Sequence, residues 1–168
     1  MRRLILPTVA VVVLSATPIA AQVEPVPTPP CPVSEEFPTL GLTGKHEDVD
    51  SPLLPDSVQP LGEPFASESY VDYRYRLDVS GSETKPFATK ANVTVNLAWD
   101  NDGDFDLYVY DKDDSQLGSS TDFVQDRVET VTLSGAAHCL DFRVRIQNFL
   151  APPALEMALD TTVSNLKP

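Results

Sequence analysis

The chain has 168 residues, of which 42% are hydrophobic, and it carries 25 acidic against 12 basic side chains for a formal net charge of −13. This length and apolar content suffice for one domain with its own core. Such an acidic chain is repelled by nucleic acid and by anionic lipid, which excludes both as partners and favours cations or basic protein surfaces. The same charge also serves solubility alone.

The first 21 residues predict a secretory signal peptide. A basic start, Met1-Arg2-Arg3, precedes the apolar run from Leu4 to Ala16, and small residues lead to a cleavage point after Ala21. The apolar run is too short for a comfortable membrane span, so we expect no membrane insertion. Bacterial export to the cell envelope or the extracellular space would leave 147 residues with a formal charge of −15, since Arg2 and Arg3 are removed.

Residues 22–64 predict an acidic, Pro-rich spacer. They hold ten of the sixteen prolines, including the run P-V-P-T-P-P-C-P. Proline breaks helices and donates no hydrogen bond to a sheet, so we expect an extended, disordered segment without regular structure. The folded domain is expected at residues 65–168.

From residue 65 onward, apolar and polar residues alternate with the period of half-buried strands. Successive alternating runs, separated by turn sequences such as S-G-S, D-N-D-G and A-P-P, lie at residues 71–79, 93–99, 105–109, 131–133, 140–146 and 155–163. The pattern predicts an all-β fold, an antiparallel β-sandwich of jelly-roll or immunoglobulin-like type with about seven or eight strands.

Two cysteines, Cys31 and Cys139, lie in the exported part of the chain. An even number of cysteines in an oxidising compartment favours one disulfide, which would tie the spacer to the domain. Two unpaired thiols are the alternative. A catalytic cysteine is not indicated, because His138 precedes Cys139 directly and neighbours on a strand point to opposite faces.

The stretch W-D-N-D-G-D-F-D at residues 99–106 concentrates carboxylates. Calcium takes six to eight oxygen ligands, and closely spaced aspartates around a glycine are a usual source. The spacing is not that of an EF-hand loop, and flanking helices are missing. The alternative is an Asx-rich hairpin turn, with Asp and Asn side chains bonded to nearby amides. The aspartates that we consider as calcium ligands are Asp100, Asp102, Asp104 and Asp106.

Two tyrosines and two arginines form a candidate binding surface. Tyr108 and Tyr110 are out of phase with the apolar positions of their strand, and Arg143 and Arg145 lie on the polar face of a later one. Exposed tyrosines on a flat sheet suit recognition of a polymer or a protein. They are equally ordinary as cross-strand partners.

Five runs resemble the bacterial pre-peptidase C-terminal domain, a small β-sandwich appended to many secreted proteases and related to collagen-binding modules. They are Y-V-D-Y-R-Y-R-L-D-V-S-G, V-T-V-N-L-A-W, D-F-D-L-Y-V-Y-D, V-E-T-V-T-L-S-G and L-D-F-R-V-R-I-Q-N-F. The resemblance covers about residues 62–165. It implies that any calcium would also take acidic ligands from the segment leading into the domain, for which Glu63 and Glu68 are the candidates. The family's usual G-x-Y-x-V-x-V ending is replaced here by a sequence that contains Cys139.

The sequence gives no support for catalysis. His46 and His138 lie in no zinc-spaced cluster and near no G-x-S-x-G elbow. We therefore expect a secreted, non-catalytic binding or accessory module that recognises an extracellular polymer or protein, with structural calcium left open as its cofactor. Since no protease domain precedes these runs, the alternative is a trans-acting partner or inhibitor of an exported protease.

Overall fold

The computed structural model describes residues 26–52, 70–81, 87–121, 127–149, 154 and 156–165. The predicted signal peptide lies outside them. The described residues form nine strands, β1 to β9 in chain order: Thr39–Leu40, Lys45–Asp48, Tyr70–Leu77, Lys90–Trp99, Phe105–Asp111, Gln116–Ser120, Val128–Ala137, Asp141–Asn148 and Met157–Asn165.

The strands make two sheets, which confirms the predicted all-β sandwich. The five-stranded sheet has the order β1-β3-β8-β5-β6, and the four-stranded sheet has the order β2-β9-β4-β7. Every pairing is antiparallel except that of β1 with β3. The described part of the chain contains no helix long and apolar enough to cross a membrane.

The core is built by the alternation that the sequence predicts. On β4, every second side chain from Ala91 to Trp99 is buried, while the side chains between them are partly exposed. Phe105 and Phe142 are fully buried on the facing sheet. The ring of Trp99 meets that of Phe105 edge to face at 5.4 Å, a favourable geometry for aromatic pairs. Both β4 and β5 are therefore fixed on either side of the acidic turn that joins them.

The expectation that residues 22–64 lack regular structure is wrong for β1 and β2. Each is an edge strand, one in each sheet. Proline keeps its carbonyl, and that of Pro38 accepts a hydrogen bond from the Arg76 amide at 2.8 Å beside β1. An edge strand forms hydrogen bonds with a neighbouring strand on one side only. A short segment next to a proline can therefore still form such a strand. The described part of this segment, residues 26–52, thus contributes one edge strand to each sheet of the sandwich.

The predicted disulfide between Cys31 and Cys139 is present, with the two Cα atoms 5.5 Å apart. His138, next to it, uses both ring nitrogens. Its Nδ1 accepts from the Val79 amide at 3.2 Å, and its Nε2 donates to the Pro29 carbonyl at 2.9 Å. The start of the described chain is therefore held against the sandwich by one covalent bond and by hydrogen bonds around it.

Candidate functional site

The acidic stretch forms the turn between β4 and β5. The Asn101 side chain accepts a hydrogen bond from the Gly103 amide at 2.9 Å, which is an Asx turn. The Trp99 indole N–H donates to the Gly103 carbonyl at 3.1 Å. The Phe149 amide donates to the Asp104 carbonyl at 2.9 Å and ties the turn to the end of β8. The structure therefore contains the Asx turn that the sequence predicts as the alternative to a calcium-binding loop.

The four aspartates of this stretch differ in surroundings. Asp100 and Asp102 are exposed, and the carboxylate of Asp102 is paired with the guanidinium of Arg127. Asp104 is half-buried and Asp106 is buried. Glu63 and Glu68, the other two predicted calcium ligands, lie outside the described residues.

These aspartates do not form a tight group of three ligands. Among the described residues, the one set of three potential metal-ligand side chains within 4.8 Å of one another is Cys31, His138 and Cys139. Its two sulfurs are bonded to each other.

Asp106 departs from the sequence-based expectation. Its side chain has the predicted outward phase on β5, yet the residue is 6% exposed instead of solvated. Burial raises the pKa of Asp106 to about 6; the hydroxyl of Tyr108, donating at 3.0 Å, acts in the opposite direction, and nearby Asp104 adds to the rise. Burial also raises the pKa of Asp104. The end of the turn and the start of β5 therefore hold two neighbouring carboxylates, Asp104 and Asp106, whose charged forms are disfavoured by burial.

The outer face of the five-stranded sheet carries a charge cluster. Asp72 on β3, Arg145 on β8 and Tyr108 on β5 are aligned by the registers of the two strand pairs. Nε and Nη2 of Arg145 donate to the two carboxylate oxygens of Asp72 at 2.8 and 2.9 Å. Arg143 lies 3.5 Å from the same carboxylate and 2.8 Å from that of Asp114. Both predicted arginines are thus paired with acidic residues.

Three tyrosines lie with these arginines on the same face. The rings of Tyr108 and Tyr110 are stacked with centroids 6.2 Å apart and planes 23° apart. The guanidinium of Arg143 is 5.0 Å from the Tyr110 ring centre, and that of Arg145 is 3.6 Å from the Tyr70 ring centre. We call Tyr70, Tyr108, Tyr110, Arg143 and Arg145 the tyrosine–arginine face.

The sequence prediction included four members of this face but missed Tyr70 and the carboxylate of Asp72. Both residues lie at the polar positions of the first predicted strand, so the sequence alone could have placed them on its outer face. Their proximity to Tyr110 and Arg145 depends on β8 lying between β3 and β5. Period-two alternation indicates which side of a strand is polar, but it does not give the order of strands in a sheet.

Comparison with known proteins finds solved structures to which this chain is similar. No protein-family model matches the chain, and no curated protein matches it. A solved structure of the pre-peptidase C-terminal domain of a collagenase from Bacillus anthracis is similar with a TM-score of 0.47 and 7% identity, covering 80% of this chain and 100% of that one. The periplasmic inhibitor of g-type lysozyme from Aeromonas hydrophila is similar with a TM-score of 0.34 and 8% identity, covering 77% and 98%.

The fold and the site define a small β-sandwich with a polar, aromatic outer face. Membership of the pre-peptidase C-terminal family stays a prediction from the sequence runs.

Proposed function

We propose that the protein is an exported, non-catalytic binding module that recognises an extracellular polymer or protein through its tyrosine–arginine face. The observation that carries the proposal is the stacked pair Tyr108 and Tyr110, with the Arg143 guanidinium 5.0 Å from the second ring. All three side chains are partly exposed on a sheet face.

Tyrosine and arginine dominate binding surfaces because each combines a large contact area with hydrogen-bonding groups. Here the arginines are already oriented by Asp72, which reduces the entropy lost when a partner orders them. Burial and the neighbouring charge of Asp106 raise the pKa of Tyr108, so its hydroxyl stays a neutral hydrogen-bond donor. A sheet face that spans three strands suits an extended partner better than a small ligand, which takes a concave pocket.

Two features support export without catalysis. The Cys31–Cys139 disulfide is typical of oxidising compartments outside the cytosol. The two ring nitrogens of His138 are engaged with backbone groups, and those of His46 lie beside Asp160 and Asp48 at an exposed sheet edge. The Sγ of Cys31 lies 3.5 Å from the His138 ring, but it is bonded to Cys139 and is therefore not a thiol nucleophile.

Calcium at the acidic turn is part of the same proposal. Asp104 and Asp106 would hold it, because a nearby cation stabilises the charged forms that burial disfavours. Two carboxylates supply fewer than the six to eight oxygens that calcium takes, so Asp100, Asp102, Glu63, Glu68 or water would supply the rest. Asp102 would then exchange its present partner, Arg127.

Co-sedimentation with insoluble polymers tests the proposed function. The mature protein is mixed with fibrillar collagen, chitin and purified bacterial cell wall, and the bound fraction is measured after centrifugation. We expect saturable binding to at least one of the three. Binding to none, together with co-purification of an exported protease, would favour the alternative of a trans-acting protease partner.

A further inference from the structure

We propose that two copies of the chain associate through the unpaired side of β7, in antiparallel pairing, so that their two four-stranded sheets become one continuous sheet. β7 is ten residues long, stands last in the strand order of its sheet and, among the described strands, has β4 as its one hydrogen-bonded neighbour. We call its other side the β7 edge. The association does not depend on the function proposed for the tyrosine–arginine face.

The register with β4 shows which backbone groups point to the β7 edge. The Trp99 amide donates to the Arg127 carbonyl at 3.3 Å, and the pairing continues from there without a shift as far as Leu133. In an antiparallel pair, every second residue turns its N–H and C=O toward the neighbouring strand. The residues between them turn theirs to the β7 edge, and these are Val128, Thr130 and Thr132.

The β7 edge is open to solvent. The side chains of Val128, Thr130 and Thr132 are exposed. The inner face of β7 is closed by β6, because a Cβ atom on Gly118 would come within 2.7 Å of Cγ1 of Val131. No strand in the described ranges covers the outward N–H and C=O groups of β7. A row of unpaired backbone groups on a long strand is a template for pairing with another strand.

The β7 edge is also the uncharged side of an acidic molecule. Strands β6 and β7 together contain one charged residue, Glu129, whose side chain points inward and is 1% exposed. The opposite edge strand of the same sheet, β2, reads K-H-E-D. Two copies with a net charge of −13 each repel one another least where their surfaces are neutral. The charge distribution therefore favours approach of a second copy at β7 over approach at β2.

Antiparallel pairing of β7 with itself is self-complementary. A two-fold axis perpendicular to the sheet brings edge-directed residues of one copy opposite edge-directed residues of the other. Thr130 of one copy then lies opposite Thr132 of the other, and threonine pairs are favourable across strands. The same kind of pair occurs within the sheet, where the hydroxyls of Thr94 and Thr132 are 3.3 Å apart. A charged strand of another protein gains no ion pair at this edge, so a second copy is the partner that fits.

The two-fold axis keeps both five-stranded sheets on the same side of the joined sheet. Both tyrosine–arginine faces then point in one direction and can contact the same extended partner, which increases the apparent affinity by avidity. This consequence alone rests on the proposed function.

Analytical ultracentrifugation of the mature protein tests the association in the absence of any polymer. The weight-average mass is measured from micromolar to millimolar protein, at low and at high salt. We expect a rise from monomer to dimer with concentration, and a tighter dimer at high salt because salt screens the repulsion between acidic copies. A dimer that weakens in salt would be held by ion pairs and would overturn the proposal, as would a monomer at every concentration.

Amide hydrogen exchange, followed by NMR, locates the interface without any substitution. The amides of Thr130 and Thr132 should exchange about tenfold more slowly once about nine-tenths of the chains are paired, since exchange then requires the open edge. The amides of His46 and Asp48 are the internal control. The Val49 amide donates to the Met157 carbonyl, so these two point away from β9 and should exchange equally fast in dilute and concentrated samples. A dimer without slower exchange at Thr130 and Thr132 would use another surface and would contradict the proposal.

A matched pair of proline variants tests the same edge. Thr132→Pro removes an edge-facing N–H and breaks no hydrogen bond to β4, and Asp48→Pro makes the equivalent change on β2. We expect Thr132→Pro to weaken the dimer by about tenfold or more and Asp48→Pro to leave it intact. Dimerisation of a folded Thr132→Pro variant at wild-type strength would overturn the proposal, and if that variant does not fold, the exchange measurement on the wild type decides. None of these samples contains a polymer, so the results do not bear on the tyrosine–arginine face.

Discussion

The guanidinium of Arg145 on β8 donates to both carboxylate oxygens of Asp72 on β3 and lies 3.6 Å from the centre of the Tyr70 ring. The same carboxylate is 3.5 Å from Arg143. One aspartate therefore orients two arginines, and these two contact the rings of two tyrosines, Tyr70 on β3 and Tyr110 on β5. The geometry of the tyrosine–arginine face depends on this shared acidic group.

Asp72→Asn should destabilise the protein and disorder the face. The substitution leaves two partly buried guanidinium groups adjacent to each other without their common counter-charge, and we expect the free energy of unfolding to fall by about 1–3 kcal/mol. Urea unfolding at neutral pH measures the change. Asp113→Asn, which removes an exposed partner of Lys112, is the control and should leave the free energy of unfolding unchanged. Equal effects of the two substitutions would contradict the role given to Asp72.

Asp106 should make the folded state less stable as the pH rises. Its folded pKa is raised to about 6, so between about pH 4 and pH 6 the native state binds a proton that the unfolded state has released. The stability present at low pH is therefore lost as the pH rises through 6. Asp106→Asn, which can still accept the Tyr108 hydroxyl, should raise the free energy of unfolding at pH 7 by up to about 2–3 kcal/mol.

Thermal unfolding of both proteins from pH 4 to pH 8, in the presence of a chelator, checks the pH prediction. The unfolding midpoint of Asp106→Asn should exceed that of the wild type by an amount that grows as the pH rises and levels off above pH 7. A variant that is less stable than the wild type at pH 7 would contradict the prediction that burial disfavours the Asp106 carboxylate.

Loss of the disulfide should release the N-terminal segment and lower stability. The bond closes a loop with a sequence separation of 108 residues, for which the chain-entropy model gives roughly 4–5 kcal/mol as an upper value. Cys31→Ser/Cys139→Ser should lower the unfolding midpoint and increase amide exchange around β1, where Pro38 bonds to Arg76. Unchanged exchange in β1 would mean that hydrogen bonds alone hold the segment.

Calcium should raise the unfolding midpoint if Asp104 and Asp106 bind it. A ligand that binds only the native state adds about 2.7 kcal/mol at a concentration one hundred times its dissociation constant. We expect a higher midpoint in millimolar calcium than in chelator, and no difference for Asp104→Asn/Asp106→Asn. Asp113→Asn again serves as the control. An identical midpoint for the wild type in both conditions would remove calcium from the account.

The sequence predicts the central strands well because their burial is local and periodic. Residues 91 to 99 alternate without exception, so the face of each side chain follows from its position. Edge strands β1, β2 and β6 are short and polar or flanked by proline, and their pairing is decided by the neighbouring strand instead of by their own pattern.

The candidate site is less predictable for a related reason. Alternation places Asp106 on the outer face, but whether an outward side chain is solvated depends on what covers it in three dimensions. The pairing of Asp72 with Arg145 likewise joins residues 73 positions apart, and only the strand order brings them together. Local pattern thus identifies the polar face, while tertiary structure determines which of its charges meet.

The most direct test of the account compares two double variants on opposite faces of the sandwich. Tyr108→Ala/Tyr110→Ala removes the stacked rings, and Thr94→Ala/Thr132→Ala removes a cross-strand hydroxyl pair from the outer face of the four-stranded sheet. Both are first confirmed as folded by circular dichroism and then measured for co-sedimentation with the polymer that the wild type binds. We predict that the tyrosine variant loses at least nine-tenths of the affinity, roughly the effect of truncating binding residues that each contribute about 1 kcal/mol, while the threonine variant binds like the wild type. Wild-type binding by the tyrosine variant, or loss of binding in the threonine variant alone, would contradict the claim that the tyrosine–arginine face is the binding surface.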